Sequence, residues 1–126
     1  MERVSGIGGV FFRARDPEAL TQWYVRHFGI DDPANPAAPW RQEAGMTVWS
    51  GFAADTDYFG RPEQQWMINF RVRDLDAMLA QLRAADVEVL DAIEDTDYGR
   101  FGWVVDPEGN RVELWQPPDE EHSASN

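Results

Sequence analysis

The sequence predicts an α+β fold made of two tandem βαβββ units, and three observations carry that reading. The first is an ungapped internal repeat: the stretch from Gly9 (GVFFRARDPEALTQWYVRHF) aligns with the stretch from Met67 (MINFRVRDLDAMLAQLRAAD), with Phe12, Arg13, Arg15, Asp16 and Ala19 identical to Phe70, Arg71, Arg73, Asp74 and Ala77. The second is that each copy changes from alternating to helical spacing at an Arg-Asp boundary. The third is size. At 126 residues a folded chain buries roughly two-thirds of the surface its unfolded form exposes, enough for one core without staples.

The elements follow in order. In the first copy the alternating stretch after Gly9 reads as a strand, Asp16 as a helix N-cap and Pro17 as the first helical residue, where a missing N–H costs nothing. Leu20, Trp23 and Tyr24 form the buried stripe of that helix. Pro33–Pro39 is a loop, Arg41–Glu43 and Met46–Phe52 carry weaker strand signals, and Asp55–Gln65 is the loop joining the halves. In the second copy Ile68, Phe70 and Val72 alternate with Met67, Asn69, Arg71 and Arg73. Asp74 caps a helix whose Leu75, Met78, Leu79 and Leu82 share one side, and which ends near Asp86, a residue type that tolerates positive φ. Val87–Leu90, Phe101–Val105 and Arg111–Gln116 read as strands, the last two joined by the turn Asp106-Pro107-Glu108-Gly109-Asn110. The expected organisation is a single domain over residues 1–118, with repeat units at about 6–60 and 64–117, and a flexible acidic tail over 119–126.

Composition narrows the function. Cysteine is absent, which removes disulfides, thiolate metal sites and cysteine nucleophiles. Eleven basic against 23 acidic side chains leave a charge of −12, which repels phosphate backbones and argues against nucleic-acid binding. No apolar run is long enough for a membrane span and MERVSG is no secretory signal, so a cytoplasmic protein is expected. Six Trp residues are unusual for this length, and Trp is a common lining of ligand cavities.

The strand-helix starts, FRVRDLDAMLAQL and the closing DPEGNRVELWQP together resemble the vicinal oxygen chelate superfamily, the group of glyoxalases, bleomycin-resistance proteins and extradiol dioxygenases, over about residues 6 to 117. The resemblance implies a glyoxalase-like architecture in which mixed, curled sheets enclose a cavity, and assembly as a homodimer. It also implies a metal site built from a His near the start of the first strand of each unit and a Glu on the last. Carried over, the His positions fall on Gly9 and Met67, the second-unit Glu falls on Glu113, and Thr47–Phe52 offers no first-unit carboxylate. The only two histidines, His27 and His122, lie on the expected first helix and in the tail. A first-row divalent ion needs three or more imidazole, thiolate or carboxylate ligands, so no cofactor is expected, and a metal would rest on Glu113 with atypical partners such as Asn69.

Strand alternation assigns the cavity face. Val112 and Leu114 should face the helices, leaving Arg111, Glu113 and Trp115 toward the cavity, with Phe101, Trp103 and Val105 beside them and Trp103 opposite Glu113. Met67, Asn69 and Arg71 extend the same face; Trp49 and the rim residue Arg100 complete the candidate ligand-binding set. Glu113 is the candidate catalytic residue. A carboxylate flanked by Val, Leu and Trp must be paired, either in a salt bridge with Arg71, Arg100 or Arg111, or as an acceptor for a ligand cation or hydroxyl, or as a general base. Three functions follow. One is a metal-free binder of a small aromatic or cationic molecule, like the antibiotic-sequestering branch of the superfamily. Another is a divalent-metal-dependent lyase, isomerase or dioxygenase centred on Glu113. The third is a structural dimer whose Trp-rich surface meets a protein partner.

Overall fold

The computed structural model describes residues 1–35, 37 and 39–119, so most of the expected tail, with His122, lies outside the described residues. The chain divides into two compact units, one ending at Pro39 and the other starting at Trp40, ahead of the repeat boundary.

In the first unit, helix α1 spans Pro17–Phe28. Its start is the one the sequence specifies: Asp16 Oδ1 accepts from the Ala19 N–H at 3.1 Å and Pro17 takes the first turn. Gly29, at φ 70°, ends it in the left-handed conformation that suits glycine, and its N–H bonds the Val25 carbonyl. Leu20 and Tyr24 are buried, and Trp23 packs edge-on against Tyr24 with ring centres 4.9 Å apart.

The second unit holds the sheet. Its elements are β1 (Asn69–Arg71), α2 (Leu75–Ala84), β2 (Glu88–Val89), β3 (Glu94–Thr96), β4 (Gly99–Val105) and β5 (Arg111–Gln116). The order is β1-β5-β4-β2, with β3 also paired to β4; β1 runs parallel to β5 and the other pairs are antiparallel, a mixed sheet. Helix α2 lies on one face. Leu75, Leu79 and Leu82 are fully buried with Val104, Val112 and Leu114, and a Cβ on Gly102 would meet Leu79 Cδ1 at 3.2 Å. Each such side chain contributes about 1.5–3 kcal/mol by leaving water. Asp74 caps α2 through the Ala77 N–H, Gln116 Oε1 accepts from the Leu75 N–H at 2.8 Å, and the turn after the helix passes through Asp86 at φ 60°.

The β4–β5 turn is built around Asp106, which is buried and accepts from the Glu108 and Asn110 backbone N–H groups and from Asn110 Nδ2, at 2.8–3.0 Å. That turn fixes the register in which Trp103 faces Glu113 and Phe101 faces Trp115. The short β3 has no sequence signal, because Glu94, Asp95 and Thr96 are all exposed and show no apolar alternation.

The first half departs from expectation. No strand forms in the stretch from Gly9 to Ala14, nor at Arg41–Glu43 or Met46–Phe52. Their large apolar side chains stay exposed, Phe11 at 97% and Trp49 at 79%. Alternation specifies which face a strand buries, but a strand exists only when another backbone completes its ladder. Those segments find no such partner within the described residues.

Candidate functional site

The face of the sheet opposite α2 gathers the residues that alternation assigned to it. In register, Asn69 and Trp103 both stand beside Glu113, and Phe101 and Arg71 stand beside Trp115. Glu113 is only 7% exposed, and its carboxylate receives three hydrogen bonds: Asn69 Nδ2 donates to Oε1 at 2.7 Å, Trp103 Nε1 donates to Oε2 at 3.0 Å, and the Tyr58 hydroxyl donates to Oε2. All three donors are uncharged. An ionised carboxylate has about four acceptor positions, so one remains, on Oε1 beside Asn69. Asn69 is exposed and lies on the edge strand β1.

The salt-bridge alternative for Glu113 is therefore set aside. Arg71 donates to the Glu43 carbonyl at 2.9 Å and Arg111 to the Tyr58 carbonyl at 3.0 Å. Arg100 alternates onto the other face of β4, where it forks onto Asp76 of α2 at 3.0 Å and reaches Asp95 at 2.7 Å. That engagement raises the Arg100 guanidinium and holds Asp76 below the usual carboxylate range, chiefly through their mutual hydrogen bond. Arg100 is thus a brace between sheet and helix and leaves the ligand-lining set. Trp49 is also outside the group around Glu113; its ring packs on Trp66 at 5.9 Å, and both are exposed.

Trp115 is buried and donates its indole N–H to the Tyr98 carbonyl at 2.8 Å, while Phe101 stacks on it at 6.2 Å and 7°. This approach requires Gly99: at φ 119° a Cβ would stand 2.8 Å from Trp115 Nε1 and 2.3 Å from the Gln116 carbonyl. Met67, half-buried just ahead of β1, precedes Ile68, whose carbonyl accepts from the Glu113 N–H at 2.9 Å.

Tyr58 is the residue that sequence reasoning missed. It comes from the Asp55–Gln65 loop, 55 positions from Glu113, and its ring stacks on Phe52 at 5.3 Å and stands edge-on to Trp103 at 6.1 Å. The loop is strapped to the start of β5. Gln64 exchanges two bonds of 2.8 Å with the Arg111 main chain, in place of a strand partner, and Arg61 donates to Asn110 Oδ1 at 2.9 Å. A signal was present: Asp-Thr-Asp-Tyr occurs at 55–58 and again at 95–98, and in both copies the Thr hydroxyl accepts from the Tyr N–H, at 3.2 and 3.0 Å. Burial above all, then the hydrogen bond to Glu113 and the charges of Glu113 and Glu94, hold the Tyr58 phenol well above its ordinary value.

The donor set does not fit the superfamily's metal. Glu113 is surrounded by an amide, an indole and a phenol; an indole N–H cannot ligate, and the family's His position in this unit holds Met67. Among the described residues no group of three His, Cys, Asp or Glu comes together. His27, on α1, is held below the usual histidine value by burial and by Arg26. An open groove of about 400 Å³ runs along the start of α2 and shares only Arg71 with the expected lining.

The family model described as Glyoxalase-like domain matches residues 9–115. No curated protein matches the chain. Among solved structures, the chain is similar to TnmS3, an antibiotic binding protein from Streptomyces sp. CB03234, at 25% identity and TM-score 0.61, over 93% of this chain and 99% of that one. It is also similar to a glyoxalase/bleomycin resistance protein/dioxygenase superfamily member from Sphaerobacter thermophilus (19%, TM-score 0.57, 90% and 98% covered). The lactoylglutathione lyase of Agrobacterium tumefaciens shares the fold as well (18%, TM-score 0.57, 91% and 96% covered).

Proposed function

Because the chain belongs to the glyoxalase-like domain family of the vicinal oxygen chelate superfamily, we propose that it binds a small aromatic or cationic molecule on the sheet face around Glu113 and does so without the family metal. The observation that carries this reading is a buried carboxylate bonded, among the described residues, only by uncharged donors, and set beside the Trp103 indole and the Phe101–Trp115 stack. Aromatic walls bind flat rings by stacking and attract cations through their π faces, and a carboxylate among them adds direct charge attraction. The similarity to an antibiotic binding protein supports a binding role in place of a reaction, since sequestration requires affinity and no metal chemistry. No described helix is long and apolar enough to cross a membrane; a cytoplasmic location is part of the proposal. We also propose a homodimer, on the support of the exposed apolar segments around Phe11 and Trp49.

Titration of the protein's Trp fluorescence with a panel of planar cations and neutral aromatics tests the binding role. Saturable change at sub-millimolar ligand is expected, because Trp103 and Trp115 line the site. A panel that leaves the emission unchanged at millimolar concentration overturns the reading, and turnover that requires an added divalent ion would replace it with the metal-dependent enzyme.

A further inference from the structure

Of the three donors on Glu113, only one does not come from the sheet. Asn69 and Trp103 stand on β1 and β4, locked in the ladder on either side of Glu113, whereas Tyr58 is lent by a loop that side-chain bonds strap to β5. The phenol ring lies between Phe52 and Trp103: lifting it away would free one acceptor position on Oε2, which keeps its bond from Trp103 Nε1, and leave a slot between those two rings. We infer that the Tyr58 hydroxyl occupies the ligand's place on Glu113, and that the ligand which displaces it is a planar molecule bearing a protonated nitrogen. This rests on the binding role proposed above and specifies its chemistry.

The charge follows from competition. Tyr58 is tethered, so it opposes any free ligand with the high effective concentration of an intramolecular group. A neutral hydroxyl or amide that takes the phenol's place on Oε2 exchanges one uncharged donor for another and gains nothing against that tether. A protonated nitrogen gains more, because Glu113 is desolvated and among the described residues forms no ion pair with Arg or Lys. Oε1, beside the exposed Asn69, keeps one further acceptor position for the same ligand. A net charge of −12 attracts the same class of ligand from a distance.

The test uses two probes of one shape, 2-naphthylmethylammonium and 2-naphthylmethanol, titrated calorimetrically into the whole protein near pH 7. The ammonium is expected to bind about tenfold or more tighter than the alcohol. Tyr58→Phe keeps the ring and removes the competing hydroxyl, so ammonium binding should tighten by about tenfold. Gln64→Ala, which loosens the strap without touching the site, should tighten it in the same direction and serves if the first variant folds poorly. Glu113→Gln should bring the two probes to parity. If both probes bind the wild type equally, the binding role stands and this inference falls. If Tyr58→Phe and Gln64→Ala weaken the ammonium, Tyr58 holds the site together and is no surrogate, and the inference is again overturned. Failure of both probes to bind at millimolar concentration removes the binding role itself, and this inference with it.

Discussion

The Glu113 carboxylate, set between Trp103 and Trp115, takes three hydrogen bonds, and burial together with the bond to Glu113 holds the proton of the Tyr58 phenol tightly. The native state holds this proton more tightly than the unfolded chain, which releases it near the ordinary tyrosine value of about 10. The resulting stability is fully present below that pH and is lost as the pH climbs toward the raised native value. Absorbance titration of tyrosinate should show a last phase that disappears in Tyr58→Phe. In Glu113→Gln, where the hydrogen bond to a charge and the charge itself are gone, the phase should move down in pH; an unmoved phase would mean that Glu113 does not hold the phenol. At this scale the sequence was half legible. Alternation placed Asn69, Trp103 and Glu113 on one face, since a β-strand's side-chain period is fixed by its backbone. It carried no information on a loop residue that arrives from 55 positions away, nor could it show that Arg100 points to the helix and is consumed by Asp76.

The elements that present the face depend on local devices more than on propensity. Helix α2 is positioned at both levels: Asp74 caps it, Gln116 of β5 takes its first N–H, and Arg100 of β4 grips Asp76 in its first turn. The β4–β5 hairpin depends on one buried side chain. Asp106 takes three donors, and without it the Asn110 N–H and amide lose their partner inside the turn. Asp106→Ala is expected to lower stability by about 1–3 kcal/mol, read as a drop in the urea midpoint at unchanged slope. Trp103 and Glu113 should then lose register, so the same variant should weaken ligand binding beyond what the stability loss explains. A midpoint within error of wild type would show that the Pro107–Gly109 backbone sets the turn unaided.

At the scale of the whole molecule the second repeat is a finished object and the first is not. Both copies carry the same alternation, cap and helix signals, and both helices form where Asp16 and Asp74 specify. The difference lies in strand pairing, which is a property of two backbones and is invisible in one local pattern. Ile68 and Phe70 found β5; Val10, Phe11, Val48 and Trp49 found no ladder among the described residues and remain exposed. Large apolar side chains and unpaired strand groups left in water are costly and adhesive, and a surface of this kind invites a cover. A second copy is the cover that needs no further component, and a two-fold arrangement would bury the same segments on both protomers. Sedimentation or light scattering at micromolar protein should therefore give twice the 14.4 kDa chain mass. Phe11→Asp with Trp49→Asp places two charges in the contact and should convert the protein to monomer while leaving α2 and its sheet folded. A wild-type chain that sediments as a monomer, or an Asp variant that remains a dimer, would show that these segments are covered in another way.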